Sequence, residues 1–227
     1  MYEKTEMKIR NDFADRFDDW YAKVKGLTFR KVEIDNLIQQ IHLDRGLLLD
    51  IGCGTGNECR FVSQEIFVGI DISLRSLEIL NKKYKGHQVV LAEAKHLPFR
   101  CAVFSTALAV ETLQHIPEIS AAVREAARVL KKNGILAANV YHRRRMPRDE
   151  GYWPSGIYYR AFTAKELSKL FLDNGFRKVR ISYSNYLSEK QLRLWRFMGR
   201  LIDRFLSNLL RDGTYLIVSA TEPKSHN

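Results

Sequence analysis

The stretch Leu47-Leu48-Leu49-Asp50-Ile51-Gly52-Cys53-Gly54-Thr55-Gly56 decides how this chain is read. A short apolar run carrying a single acid is the pattern of a strand buried on both faces of a parallel sheet. Glycines at 52, 54 and 56 follow directly. A residue without Cβ lets the backbone approach a ligand closely or take a positive φ. The next residues, 57–65, can form a helix whose unpaired N–H groups would face the same ligand. Strand, glycine turn and helix together make a nucleotide-type site; the alternative is a tight turn that holds nothing.

Outward from this turn, strand and helix signals alternate. Strands are expected at Leu47–Ile51, Ile66–Ile70, Gln88–Ala92, Val103–Val110 and Ile135–Tyr141, with helices at Gly56–Glu65, Ser73–Tyr84 and Pro117–Lys131. Pro117 suits a first helical turn, and Asn133-Gly134 is expected to close that helix. Thr163 is placed to cap a helix ending at Asn174-Gly175, and Phe176–Ser184 and Thr214–Ala220 read as paired strands. The alternation predicts an α/β fold with helices on both faces of a mostly parallel sheet, joined by right-handed crossovers. Ahead of the turn, Phe13, Phe17, Trp20 and Tyr21 recur at helical spacing within Lys8–Lys25. Thr28 can cap a second helix running to Ile41. Phe13, Phe17 and Tyr21 suit either an apolar packing face or a lid over the site.

Composition sets bounds on these readings. With 227 residues, 45% hydrophobic and 28% charged, the chain has the make-up of one soluble globular domain. Met1–Asn11 is polar, unlike a secretory leader, and no apolar run reaches the roughly 18 residues of a membrane span. Cys53, Cys59 and Cys101 lack paired metal-ligand spacing, so free thiols in a cytoplasmic protein without a metal are expected. The net charge of +11 is uneven: residues 135–227 hold 17 basic and 8 acidic residues. That excess suits an anionic partner, or serves solubility alone.

The glycine pattern separates two cofactor chemistries. A dinucleotide dehydrogenase would place a further glycine at position 57, where this chain has Asn57. Asp50, two residues before the first glycine, favours a cationic group over a pyrophosphate. Asp71, in Val68-Gly69-Ile70-Asp71-Ile72-Ser73, ends the second strand, where an acid can accept both hydroxyls of a ribose. Glu93-Ala94 follow the third strand, where a carboxylate and a backbone N–H can read an adenine edge.

On these residues the chain resembles the class I S-adenosylmethionine (SAM) dependent methyltransferases, in particular the group with the methyltransferase type 11 domain. Leu48–Gly56, Val68–Ser73, Ala92–Phe99 and Phe104–Pro117 are similar to that family's first four motifs, and Arg128–Gly134 to the turn before its fifth strand. The resemblance implies a Rossmann-like seven-stranded sheet with an antiparallel last strand. It implies SAM as cofactor, with Gly52, Cys53, Gly54 and Gly56 along its methionine part and Asp50 acting on the ammonium through the turn. It places Asp71 on the ribose, Ile72 against the adenine, Glu93 and Ala94 on the adenine edge, and Ala109 and Val110 beside the transferring methyl. Glu93 stands where the family commonly has Asp. The whole chain, 1–227, then reads as one methyltransferase domain. A helical cap at 1–44 precedes a SAM-binding core at 45–142 and an acceptor-side region at 143–221, into which an amphipathic helix is inserted at 189–211.

Methyl transfer from a sulfonium needs an in-line nucleophile and exclusion of water, and a base only when the acceptor must lose a proton. Candidate bases are His115 and His142, each after a strand end where open α/β folds bind ligands; each also suits a structural hydrogen bond. Arg143, Arg144 and Arg145, followed by Tyr158, Tyr159 and Arg160, interleave basic and aromatic residues as in contacts to RNA. Residues 140–162 are also similar to the tRNA wobble-uridine carboxymethyl methyltransferases. That makes RNA, specifically tRNA, the leading expected acceptor, with a small metabolite or a lipid-like quinone precursor as the alternative. A small activating protein subunit is a further expected partner, and a SAM-binding protein without catalysis is the remaining reading. In 189–211 the apolar and arginine faces separate, which fits a packed helix, an RNA contact or an anionic membrane surface.

Overall fold

The computed structural model describes residues 2–24, 37, 46–59, 66–146, 148–187 and 199–221. The helix expected over 28–41 lies outside these apart from Leu37. Residues 60–65 after the glycine turn and residues 189–198 also lie outside them.

Nine strands are present: β1 (Leu48–Ile51), β2 (Phe67–Asp71), β3 (Gln88–Leu91), β4 (Phe104–Ala109), β5 (Leu130–Tyr141), β6 (Glu150–Tyr152), β7 (Tyr158–Arg160), β8 (Lys178–Ser184) and β9 (Tyr215–Thr221) among the described residues. Seven of them form one sheet in the order β3-β2-β1-β4-β5-β9-β8, and β6 and β7 form a separate hairpin. Pairing from β3 through β5 is parallel, while β9 runs antiparallel to both β5 and β8. The strand order reverses between β1 and β4, the switch point at which open α/β sheets leave a crevice beyond their strand ends.

Side-chain alternation sends Leu49 and Ile51 to one face of β1 and Leu48 to the other. On the first face they join α3 (Ile119–Val129) and α4 (Ala164–Asp173) through Val123, Ala126, Leu167 and Phe171. On the second face, Leu48 and Leu108 meet Leu77 and Leu80 of α2 (Leu74–Lys83). Ser73 caps α2 by accepting from Ser76 N, and Thr163 with Glu166 forms a reciprocal capping box on α4. The N-terminal helix α1 (Tyr2–Val24) is longer than its apolar spacing indicated and continuous. The last helix, α5 (Gly199–Leu210), lies against β8. No described helix is long and apolar enough to cross a membrane.

Two expectations are corrected. Asn133-Gly134 does not close α3: the helix ends at Val129, Leu130 is already extended, and Asn133 takes φ +64° within β5. The β4–β5 register shifts between Phe104 and Thr106, so the Asn-Gly pair serves an irregularity in a long strand. No strand is among those expected between Tyr141 and Thr163, yet this stretch contains the β6–β7 hairpin.

Candidate active site

The glycine turn is built for close approach. Gly52 takes φ +77°, and a Cβ there would stand 2.3 Å from Thr112 Oγ1. Gly56 takes φ +84°, with a Cβ position 2.8 Å from Leu80 Cγ. Both need glycine for conformation and for space. Gly54 differs, because nothing lies within 4 Å of where its Cβ would be. The turn is sewn to the end of β2 by Gly52 N and Cys53 N, which donate to Ile70 O at 2.8 and 2.9 Å. Asp71 completes the join: its Oδ2 accepts from Gly54 N at 2.9 Å and its Oδ1 from Ser73 N at 2.8 Å. Burial pushes this carboxyl above the usual range even though those backbone donors favour its charge.

A cleft opens above this join. Its wall holds Gly52, Cys53, Gly54, Asp71, Ile72, Glu93, Ala94, Val110 and His115, nine of the residues named from the sequence. Asp50 and Ala109 are buried in the strands behind it, and Gly56 faces α2. The open side of Gly54, the Asp71 carboxylate and the Glu93-Ala94 edge fit the three parts of SAM: amino acid, ribose and base.

The roof is α1, through Glu6, Met7, Arg10, Phe13, Ala14 and Phe17. Periodicity found Phe13 and Phe17 but could not say what they cover. Polar contacts fix the helix there. Asn11 Oδ1 accepts from Ser73 Oγ at 2.9 Å and from Arg75 N at 3.0 Å. Thr55 Oγ1 donates to Asp18 Oδ1 at 2.6 Å, and Asp18 also pairs with Lys83. Glu6 and Arg10 bond to each other at 2.8 Å.

One wall came from residues the sequence reading missed. Glu111 takes φ +51°, a costly conformation for a residue with a side chain. It is held by its N–H donating to Asn139 Oδ1 at 2.7 Å, and by the Tyr215 hydroxyl donating to its carboxylate. Tyr215 stacks on Tyr141 at 5.7 Å, and Tyr141 meets the His115 ring edge-on at 5.9 Å. His115 Nδ1 lies 2.7 Å from Tyr158 O. The available signal was Asn139, a polar residue in the middle of a buried apolar strand, which needs a partner.

Other candidates lie away from the cleft. His142 is buried, with Nδ1 3.1 Å from Gly213 O and its ring edge-on to Tyr183. Burial pushes its pKa below the usual histidine range. Arg143 donates a hydrogen bond to Glu166 at 2.8 Å and forms an ion pair with Asp149 at 3.1 Å. Arg145 forms a two-pronged pair with Asp212, at 2.9 and 2.5 Å, and lies over the Tyr186 ring. Arg144 is exposed. Arg160 lies over Phe162. Tyr158 and Tyr159 are buried, Tyr159 stacking on Trp153 at 4.6 Å, and burial pushes the Tyr158 phenol up to about 12.

The Arg145 guanidinium holds the Asp212 carboxyl below its usual range. A carboxyl with a depressed folded pKa gives stability that is present above its unfolded pKa and lost as pH falls through the folded value. Arg145→Ala should therefore lower the melting temperature at neutral pH, and the gap to wild type should narrow in acid. A gap independent of pH, read by calorimetry, would mean the pair contributes only packing.

Residues 49–138 match the family model described as Methyltransferase domain. An uncharacterised protein of Methanocaldococcus jannaschii is 32% identical over 143 residues, covering 62% of this chain and 55% of the relative. The 27-O-demethylrifamycin SV methyltransferase of Amycolatopsis mediterranei is 37% identical over 131 residues, 53% of this chain and 47% of its own. A tRNA (carboxymethyluridine(34)-5-O)-methyltransferase of Arabidopsis thaliana is 31% identical over 98 residues, 42% of this chain and 24% of its own. The chain thus spans about half the length, or less, of these curated relatives. The crystal structure of a SAM-dependent methyltransferase from Thermotoga maritima superposes with TM-score 0.69 at 20% identity, covering 95% of this chain and 99% of that one. The glycine turn tied to Asp71 and the sheet order agree with that match: over residues 49–138 this chain is similar to the methyltransferase domain family, and it has the fold of the SAM-dependent methyltransferases.

Proposed function

We propose that the protein transfers a methyl group from SAM to a hydroxyl or amine of a small acceptor held in the cleft beneath α1. The observation that carries this reading is the contact between His115 Nδ1 and Tyr158 O at 2.7 Å. A carbonyl oxygen only accepts, so Nδ1 bears the proton, and in the neutral ring Nε2 keeps the lone pair. His115 lines the cleft, which puts a base where an acceptor would shed its proton.

In this reading Gly52–Gly54 hold the methionine part, with Asp50 acting through the turn. Asp71 takes the ribose hydroxyls, and Ile72, Glu93 and Ala94 take the base. Val110, with Ala109 behind it, borders the reacting methyl. Bound there, SAM supplies a methyl group on a sulfonium, an electrophile with a neutral thioether as leaving group. Glu111, fixed by Asn139 and Tyr215, orients the donor group of the acceptor. Met7, Phe13 and Phe17 exclude water from above. The roof favours a small acceptor over the RNA expected from the sequence. So does the engagement of Arg143 and Arg145 with carboxylates within the chain.

Extract supplied with methyl-labelled SAM and the protein should accumulate label in a low-molecular-weight fraction that nuclease leaves unchanged. Label released from the macromolecular fraction by nuclease would reinstate RNA as the acceptor.

A further inference from the structure

Helix α5 is mounted with its polar side inward. Asp203 and Ser207 are fully buried. The Asp203 carboxylate accepts from Leu187 N at 2.8 Å and Asn185 N at 3.0 Å, and Ser207 Oγ accepts from Tyr186 N at 3.3 Å. Asn208 accepts from Tyr183 N and donates to Tyr183 O, which closes part of the exposed edge of β8. Ile202 and Leu206 pack on Leu187 to one side. What faces outward is apolar: Leu201, Phe205 and Leu209 are 68%, 65% and 63% exposed. Spaced four apart, they form one stripe.

Charge beside the stripe has one sign. Arg204 and Arg211 are both exposed: at about 100° per residue Arg204 lies on one flank of the stripe, and Arg211 follows the helix end, where the backbone turns to φ +50°. Asp203 is the one acid between Gly199 and Arg211, and it is turned inward onto backbone N–H groups. The position in the fold also matters. Tyr215 opens β9 opposite Ser184, the last residue of β8, and opposite Tyr141, the last of β5. Asp203 reaches past that end to Leu187. The stripe therefore stands at the same end of the sheet as the glycine turn and His115.

We propose that α5 is a membrane-docking element that lays Leu201, Phe205 and Leu209 into the surface of an anionic lipid bilayer. An interfacial helix buries its apolar face about 5–10 Å into the headgroup boundary and is attracted by anionic lipids. Arginines beside such a face keep their stems on the apolar surface and their guanidinium groups among the headgroups. The inward bonds of Asp203, Ser207 and Asn208 hold the stripe in place before contact, so little ordering is required on docking. Docking would set the carboxyl end of the sheet, with its cleft, toward the bilayer.

The full chain should sediment with phosphatidylcholine vesicles containing phosphatidylglycerol and stay in solution with phosphatidylcholine alone, and salt should reduce binding. Replacing Leu201, Phe205 and Leu209 together with serine should lower the vesicle partition coefficient at least about tenfold, since three large apolar side chains no longer insert. SAM affinity and the circular dichroism spectrum should be unchanged, which separates lost docking from lost folding. Arg204→Ser with Arg211→Ser should weaken binding to anionic vesicles and flatten its salt dependence. Equal binding to both vesicle types, or to neither, would overturn the proposal. So would a dimer seen by light scattering without lipid and abolished by the triple serine variant, since a second copy would then cover the stripe.

Discussion

Asp71→Ala is expected to raise the dissociation constant for SAM about 10–100-fold, the effect of removing a buried hydrogen-bond acceptor from a ligand and leaving its donors unpaired. Two consequences add. The ribose hydroxyls lose their acceptor, and Gly54 N and Ser73 N lose the carboxylate that joins the glycine turn to the end of β2. Asp71→Asn separates these, because an amide oxygen can still accept one of the backbone bonds while its NH2 group cannot accept from a hydroxyl. The pH dependence has a defined sign. Burial raises the folded pKa of Asp71, so the native state takes up a proton more readily than the unfolded chain. Its charge then costs stability at neutral pH, and that cost is relieved as pH falls through the folded value. Binding moves the other way, because protonation removes the acceptor. SAM affinity should therefore begin to fall at a higher pH than an ordinary carboxyl would give, while Asp71→Asn keeps its melting temperature. Calorimetric titration of the two variants checks this; an unchanged dissociation constant in Asp71→Ala would remove the ribose role.

The sequence carried the sheet and the cofactor side of the cleft, and physical reasons divide what was legible from what was not. A strand buried on both faces must be apolar throughout, so Leu48–Ile51 and Phe67–Ile70 declare themselves. Glycines that need positive φ and carboxylates at strand ends are local features too, and Gly52, Gly54, Asp71 and Glu93 all meet in one cleft. What escaped depends on pairs far apart in the chain. Glu111 is locked by Asn139, 28 residues away, and by Tyr215, 104 residues away. The arginine run 143–145 read as a surface for an anion because Glu166 and Asp212, which engage it, come later in the sequence. Helical periodicity divided 199–210 into two faces without saying which one meets the body. Burial of Asp203 and Ser207 against the backbone ends of β8 decided it, by hydrogen bonds that no apolar pattern encodes.

His115→Ala should lower turnover by about 10²–10⁴-fold, the usual contribution of a positioned general base, while the dissociation constant for SAM stays within error of wild type. The split follows from geometry. His115 lines the cleft, and two of its contacts with the body, to Tyr158 O and the Tyr141 ring, lie outside the glycine turn and away from Asp71. Turnover is read as release of S-adenosylhomocysteine in the presence of the low-molecular-weight fraction that accepts label. Added imidazole should restore part of the rate in His115→Ala, because a small base can occupy the vacated volume and take the proton of the acceptor. A structural role for the ring would not respond to imidazole in this way. An acceptor that is already an anion, such as a carboxylate, needs no base, and the substitution would then change turnover by only a few-fold. That result would move the reaction away from hydroxyl and amine acceptors and leave His115 as the residue that fixes the β6–β7 hairpin against the cleft.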